Sequence, residues 1–346
     1  MSFPSTTRQY YLPEIGSYKN LKLVEAQLTP PKSFEVLVKI HAVSLQFRDL
    51  VISKGTYPAP LTKDLVPCSD MAGEIVWVGE DVPDGWKVGD RVSANFCADH
   101  IDGDATPEIQ KTAHGGMIHG MLTEYKAFRP HSLVKIPDHL SFEEASTLPC
   151  AALTAYNALM GPVPLKGGDT VLVLGTGGVS IHALQIAVAS GAEVIATSSS
   201  DDKLKIAKKL GAKHVINYKT TPDWDKEVLH LTNGRGVDHV IEVSGNATLP
   251  KSMNAARVAG WIHIIGFVGG GEATDIIVST IKKGAIIRGI QIGSVRQFKE
   301  MIRLFSAKPE VTRPYVDKVF PFDKAIDAYA YLESQAHFGK VVIRVA

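Results

Sequence analysis

Residues Asp169 to Ser180 read DTVLVLGTGGVS, an apolar run that stops at Gly175, Gly177 and Gly178 and passes at once into an amphipathic helical pattern. Glycines at a strand-to-helix corner remove the Cβ atoms that would keep a pyrophosphate away from backbone amides. The first turn of the new helix adds unpaired N–H groups carrying about half a positive charge. Short glycine clusters also occur in ordinary turns, and the third small position here is Ser180. Context strengthens the phosphate reading: a second β-like run, Ala192 to Ala196, begins about one helix later, the spacing of a dinucleotide-binding βαβ unit.

A chain of 346 residues exceeds what one core usually holds, so two domains are expected. With 37 basic and 36 acidic side chains there is no overall field to draw nucleic acid or an anionic membrane. No apolar stretch approaches the ~20 residues needed to span a bilayer, and the start, MSFPSTTRQYYLPEIG, lacks a basic segment followed by an apolar core. A cytoplasmic location is therefore expected. The three cysteines, Cys68, Cys97 and Cys150, are odd in number and widely spaced, which argues against a disulfide framework or a CxxC metal cluster.

Residues 1–140 read as short β-like runs punctuated by Gly and Pro, among them Glu35 to Val43 and Met71 to Val78, which predicts a β-rich domain with barrel-like curvature. From Ser141 to Ile292 helical segments alternate with the apolar runs Val171–Leu174, Val194–Ala196, His214–Ile216, His239–Val243 and Trp261–Ile265, predicting a doubly wound parallel sheet. Ala285 to Ile292 reads as its last strand, and Phe338 to Val345 as a strand returning to the first domain, which residues 293–346 complete. Cys97 to Met121 reads as a surface loop, and its histidines, His100, His114 and His119, lack the spacing of a metal site.

Several blocks go beyond the glycine corner: VPCSDMAGEIVWVGE at 66–80, KVGDRV at 87–92, LPCAALTAYNAL at 148–159, KKLGAKHVINY at 208–218 and GKVVIRV at 339–345. With these, nearly the whole chain resembles the medium-chain dehydrogenases and reductases. The resemblance implies an α/β protein with a GroES-like catalytic domain built from both ends of the chain. A Rossmann domain interrupts it, with the active site in a cleft between the two. It also implies a homodimer joined through the Rossmann sheet edge at Ala285 to Ile292. Cofactor contacts are implied at Thr154, Gly175, Thr176, Gly177, Gly178, Val179, Ser198, Lys203, Tyr218, Gly266, Phe267, Val268, Ile290, Ile292 and Lys340.

Zinc alcohol dehydrogenases of this family hold a catalytic metal through residues whose counterparts here are Gln46, Ser69 and Cys150. Amide and hydroxyl oxygens are poor partners for a borderline-soft ion, and the segment corresponding to the structural zinc lobe keeps only Cys97. The expectation is therefore a protein without zinc. Lacking that Lewis acid, hydride addition is easier to a quinone or an α,β-unsaturated carbonyl, whose developing charge is delocalised and can be met by neutral donors. Zinc-free relatives of this type are typically NADPH-dependent quinone or enone reductases. Gln46, Tyr57 and Ser69 are the candidate catalytic donors. Cys150 is expected to be a packed side chain near the nicotinamide.

Cofactor choice is read at the end of the second Rossmann strand, where NAD enzymes place an acid ~20 residues after the glycines. Here the sequence is Thr197-Ser198-Ser199-Ser200, with Ser198 in the acidic position. Asp201 and Asp202 read as a helix N-cap, Lys203 as a cation for a 2′-phosphate, and Tyr218 as its packing partner. A three-residue shift of register would instead place Asp201 on the ribose. NADPH is the expected cofactor. Two other readings stay open: a zinc-independent NADP(H) ketone reductase or alcohol dehydrogenase, and a non-enzymatic binding or structural protein. The substrate is expected to be a small carbonyl or quinone, with no nucleic-acid or membrane partner.

Overall fold

The computed structural model describes residues 3–346, and the chain packs in it as two units. One holds the chain up to Leu153 together with Gly293–Ala307 and Pro314–Ala346; the other holds Thr154–Ile292 and Lys308–Arg313. The strands are β1 (Thr6–Tyr11), β2 (Lys22–Gln27), β3 (Val36–Ser44), β4 (Asp70–Val78), β5 (Arg91–Ala94), β6 (Tyr125–Phe128) and β7 (Leu133–Lys135). They continue with β8 (Thr170–Val173), β9 (Glu193–Ser198), β10 (His214–Asn217), β11 (Val237–Glu242), β12 (Ala256–Ile264) and β13 (Ile286–Gly289), and end with β14 (Val316–Pro321) and β15 (Lys340–Arg344). Among the described residues no helix is long and apolar enough to cross a membrane.

In the first unit β3 is the hub of a seven-stranded sheet ordered β14-β15-β3-β4-β5-β7, with β6 also on β3. Register shifts between Leu37 and Val38 and between Ile40 and Ala42 mark bulges, which bend a strand and let the sheet curve. Val36, Val38, Ile40 and Val43 pack with Val341 and Ile343 from the C-terminal end, so one core draws on both ends of the chain. Tyr18 stacks on the fully buried Tyr329 at 5.7 Å.

The boundary lies beyond the texture change at Ser141. The helix Phe142–Ala145 packs on β3 and β4, the Arg91 guanidinium lies over the Phe142 ring at 4.6 Å, and Arg344 pairs with Glu143 at 2.8 Å. Residues 97–121 are also more than a surface loop. They contain the short helix Pro107–Gln110 and bury Cys97, His100, Ala113, His114 and Met121, because apolar and ring side chains recur through the segment and find the core.

The second unit is a six-stranded parallel sheet ordered β10-β9-β8-β11-β12-β13. Every residue of β8 and β11 is buried, as expected for parallel strands covered on both faces. Leu172, Ile195, Val240 and Ile262 pack with Trp224, Val228 and Met253. Each such aliphatic side chain contributes about 1.5–3 kcal/mol on burial, whereas exposed pairs such as Lys205 with Asp202 add little. The sheet reverses its winding between β8 and β11, the place in open α/β sheets where ligands bind beyond the carboxyl ends of the strands. The edge strand β13 is shorter than the apolar run Ala285 to Ile292: its ladder closes with Ile290 N–H donating to the Ile264 carbonyl, and Ile292 turns into the left-handed region at φ +43°.

Candidate active site and cofactor site

At the glycine corner, β8 ends at Val173 and the helix Gly178–Ala189 begins after Gly177, whose N-cap position carries no side-chain hydrogen bond. Gly175 has φ +72°, a conformation that favours glycine, and a Cβ placed on Gly175 or Gly177 would meet nothing within 4 Å. The space before the helix N-terminus is open, as a phosphate cradle requires. Ser180, at the third small position, is buried and donates its hydroxyl to the Leu174 carbonyl at 2.7 Å, tying helix to strand end. Thr176 and Val179 flank the same corner.

Strand β9 runs to Ser198, past Ala196. The N-cap of the helix Asp201–Lys209 is Ser200, whose Oγ accepts the Lys203 N–H at 3.4 Å, so Asp201 and Asp202 lie in the first turn rather than at the cap. Asp201 accepts from Asn217 Nδ2 at 2.7 Å, and Asp202 pairs with Lys205 at 2.8 Å. At the strand end stands Ser198, its Oγ accepting the Ser200 N–H at 3.3 Å. Tyr218, whose N–H donates to the Ser198 carbonyl at 3.1 Å, exposes 42 % of its surface.

Beyond the ends of β11 and β12 lies a pocket of about 330 Å³ lined by Gly245, Asn246, Ile264, Ile265, Gly266 and Phe267 with Gly270 and Gly271. Its β11 side is shaped by Glu242, a residue that reading the sequence missed. Glu242 is fully buried and accepts from Ser244 N at 2.9 Å, Gly245 N at 3.0 Å and Thr248 Oγ1 at 2.7 Å, and from the Ser252 hydroxyl. The local signal is an acid that closes the apolar pair Val240-Ile241 and is followed after Val243 by Ser244 and Gly245. Phe267 and Val268 are exposed on the adjoining loop. In the same unit, Thr154 Oγ1 is buried without a hydrogen-bond partner among the described residues. An open cradle, a pocket at the strand ends and an orphaned buried hydroxyl together fit a dinucleotide.

In the first unit a different kind of centre forms. Gln46 is the N-cap of the helix Phe47–Ser53; its backbone N–H donates to Asp49 at 2.7 Å and its Nε2 to Asp70 at 2.6 Å. Ser69 gives its hydroxyl proton to the other oxygen of Asp70 at 2.5 Å, and Cys150 N–H donates to Asp70 at 3.0 Å. Gln46 and Ser69 are thus brought together, but by Asp70, which sequence reasoning passed over. Burial pushes Asp70 up to about 6 against the pull of the Lys340 ammonium, and pushes Asp49 up to about 7 against the Gln46 amide and Arg48. One oxygen of Asp49 has no hydrogen-bond partner among the described residues.

Lys340, assigned above to the cofactor, is buried and turns its ammonium to the Leu45 carbonyl in this same centre; burial lowers its pKa. Burial and the neighbouring Asp70 push the Cys150 thiol above its ordinary range, which disfavours the thiolate. Tyr57 is held differently. The Arg48 guanidinium lies 4.8 Å from its ring centre and 4.7 Å from that of Phe96, and donates to the His114 carbonyl at 2.9 Å. The Tyr57 hydroxyl itself enters no hydrogen bond among the described residues.

Ser69 can therefore accept but not donate while it faces Asp70, Gln46 keeps one N–H, and Tyr57 keeps its whole donor capacity. As zinc ligands, Gln46 and Ser69 do not fit: each offers only a neutral oxygen, and the amide nitrogen of one and the hydroxyl proton of the other are given to Asp70, which leaves Cys150 as the one good ligand of the three. Among the described residues no group of three or more His, Cys, Asp or Glu side chains converges elsewhere.

The alcohol dehydrogenase GroES-like domain family matches residues 32–138, and the zinc-binding dehydrogenase family matches residues 178–307. The chain belongs to the medium-chain dehydrogenase/reductase superfamily and is quinone oxidoreductase-like. A zinc-type alcohol dehydrogenase-like protein of Schizosaccharomyces pombe is 49% identical over 96% of this chain and 97% of its own. Human quinone oxidoreductase is 28% identical over 95% of each chain. The crystal structure of an NAD-dependent alcohol dehydrogenase superposes with a TM-score of 0.89 at 32% identity, covering 98% of this chain and all of the other. The protein is an oxidoreductase of this family, whose members generally use NAD(P)H.

Proposed function

We propose that the protein is an NADPH-dependent reductase of quinones or α,β-unsaturated carbonyl compounds that works without zinc. The observation that carries this reading is the commitment of Gln46 and Ser69 to Asp70, which leaves neutral hydrogen-bond donors where a Lewis acid would be needed for a saturated ketone. A conjugated acceptor spreads the charge it gains, and a single well-placed hydroxyl is then enough. Tyr57 takes that role, with Gln46 supplying its second N–H and Ser69 accepting from the substrate side. Arg48 fixes the Tyr57 ring so that its hydroxyl is held rather than swinging. The likeness to human quinone oxidoreductase supports the same substrate class.

For the cofactor, the α-phosphate end is held by backbone at Gly175, Thr176, Gly177, Gly178 and Val179, and the 2′-phosphate by Ser198, Lys203 and Tyr218. A serine rather than an acid ends β9, and the carboxylate of the nearby Asp201 is engaged by Asn217, the β10 residue paired with Ser198. Thr154, Gly266, Phe267, Val268, Ile290 and Ile292 serve the nicotinamide end. When bound, the cofactor supplies the hydride; the chain's own groups orient the acceptor and stabilise the oxyanion.

A homodimer is part of the proposal. The outer side of β13 is unpaired among the described residues, and Ile277, Val278, Ile281 and Ile286 beside it are exposed, an edge that a second copy would cover. The likeness to an NAD-dependent alcohol dehydrogenase favours the second reading, a zinc-independent ketone reductase or alcohol dehydrogenase. Steady-state rates with NADPH on a matched enone and saturated ketone separate the two: the proposal expects the enone to be strongly preferred, and equal specificity constants would favour the ketone reductase.

A further inference from the structure

Ile292 is β-branched yet holds φ +43°, a backbone conformation that such residues rarely adopt and that persists only where the surroundings impose it. The constraint is visible. Asn157 Nδ2 donates to the Ile292 carbonyl at 2.7 Å. The Arg288 guanidinium grips Asn157 twice, Nη1 on its carbonyl at 2.9 Å and Nη2 on its side-chain oxygen at 2.8 Å. That grip fixes which face of the amide points to Ile292, because the side-chain oxygen is taken and the nitrogen must face the other way. Gly161 makes room for it: a Cβ there would lie 2.4 Å from Arg288 Nη1 and 2.6 Å from the Asn157 carbonyl oxygen.

The strained residue lies just past the carboxyl end of β13, beside the strand whose end lines the pocket; Ile290 N–H donates to Ile264, a lining residue, at 3.0 Å. Thr154, with its orphaned buried hydroxyl, is one helical turn before Asn157 in the helix Leu153–Met160. We propose that Asn157 and Arg288 are positioning residues that lock Ile292 in its left-handed conformation, and so present the backbone of Ile290 to Ile292 to the nicotinamide end of the cofactor. This rests on the cofactor reading above. Neither residue touches the cofactor; both act through Ile292.

The test is a fluorescence titration of the full-length protein with NADPH and, separately, with adenosine 2′,5′-bisphosphate, which carries only the adenine-side half of the dinucleotide. Asn157→Asp keeps the acceptor for Arg288 but cannot donate to Ile292, and Asn157→Ala removes both bonds. Each is expected to weaken NADPH about tenfold while leaving the bisphosphate within about twofold of wild type. In the Asn157→Ala background, Ile292→Gly, which adopts the left-handed conformation without strain, is expected to recover NADPH affinity to within about threefold. Unchanged NADPH affinity in both variants, equal weakening of NADPH and the bisphosphate, or no recovery with glycine would each overturn the proposal. A wild-type protein that binds the bisphosphate but gains nothing from the nicotinamide half would also overturn it. One that binds neither would remove the cofactor reading itself.

Discussion

Two buried acidic centres lie in the two units, and they are built to opposite rules. Glu242, at the end of β11, meets two backbone N–H groups and two hydroxyls, so both of its oxygens are hydrogen-bonded and it shapes the loop around it. Asp49 and Asp70 share a site with too few donors: one oxygen of Asp49 is unpaired, and burial pushes the two carboxyls up to about 7 and about 6. A saturated carboxylate organises backbone and leaves neighbouring groups free. An undersaturated pair captures side-chain donors, and Gln46 and Ser69 are what it captures. The loop after β11 is accordingly held through backbone and hydroxyl groups, and the candidate active site is a side-chain network that leaves Tyr57 outside it.

The largest effect that would break this comparison is expected at Glu242. Glu242→Ala strands the buried Ser252 hydroxyl and three part-buried donors, at about 1–3 kcal/mol for the buried one and less for the others, so the loss is expected to reach about 3 kcal/mol and to lower Tm by about 8 °C. Glu242→Gln keeps an acceptor for three of the four and should cost much less. A calorimetric scan in which the two variants unfold together, near wild type, would show that the loop does not depend on the carboxylate.

Next is the donor assignment. Tyr57→Phe is expected to lower kcat with an enone about a hundredfold, and Gln46→Ala about tenfold, because the Gln46 amide is already half engaged. A Gln46→Ala loss larger than that of Tyr57→Phe would return the leading role to the amide.

Asp49→Asn probes the undersaturated pair. A carboxyl whose folded pKa lies above its unfolded 3.8 holds its proton more tightly when folded. Its stabilising contribution is therefore fully present below about pH 4 and is lost as pH rises through about 7. Unfolding midpoints measured from pH 4 to pH 8 are expected to fall less steeply in Asp49→Asn than in wild type. Parallel curves would mean that Asp49 titrates normally.

Much of the glycine corner was legible in the sequence because it follows backbone rules. Gly175 has a positive φ, the helix starts uncapped by a side chain, and parallel strands buried on both faces are largely apolar, although β11 also buries Asp238, His239 and Glu242. Those rules also placed β8 to β11 close to their observed bounds, whereas β12, read from Trp261, begins at Ala256. What stayed hidden depends on partners distant in the chain. Nothing local tells that Asp70 would gather Gln46, Ser69 and Cys150, or that Lys340 would turn to Leu45. Even the cap at Ser200 was misread as Asp201 and Asp202, since serine and aspartate both cap well and only the geometry separates them. Ile292 shows the same limit, because its strain is set by Asn157 and Arg288 rather than by its neighbours in sequence.

The smallest of the expected effects is also the sharpest, since it concerns the end of β9, where Ser198 stands and Asp201 is held by Asn217. Equilibrium titration of the purified protein with NADPH and with NADH tests the account most directly, with Ser198→Asp as its companion. NADPH is expected to bind at least about tenfold more tightly, a difference of ~1.4 kcal/mol that one or two hydrogen bonds to a phosphate supply, and Ser198→Asp to narrow or reverse it. Equal affinities, or tighter binding of NADH by the unaltered protein, would contradict the account and point to Asp201 as a ribose-binding acid.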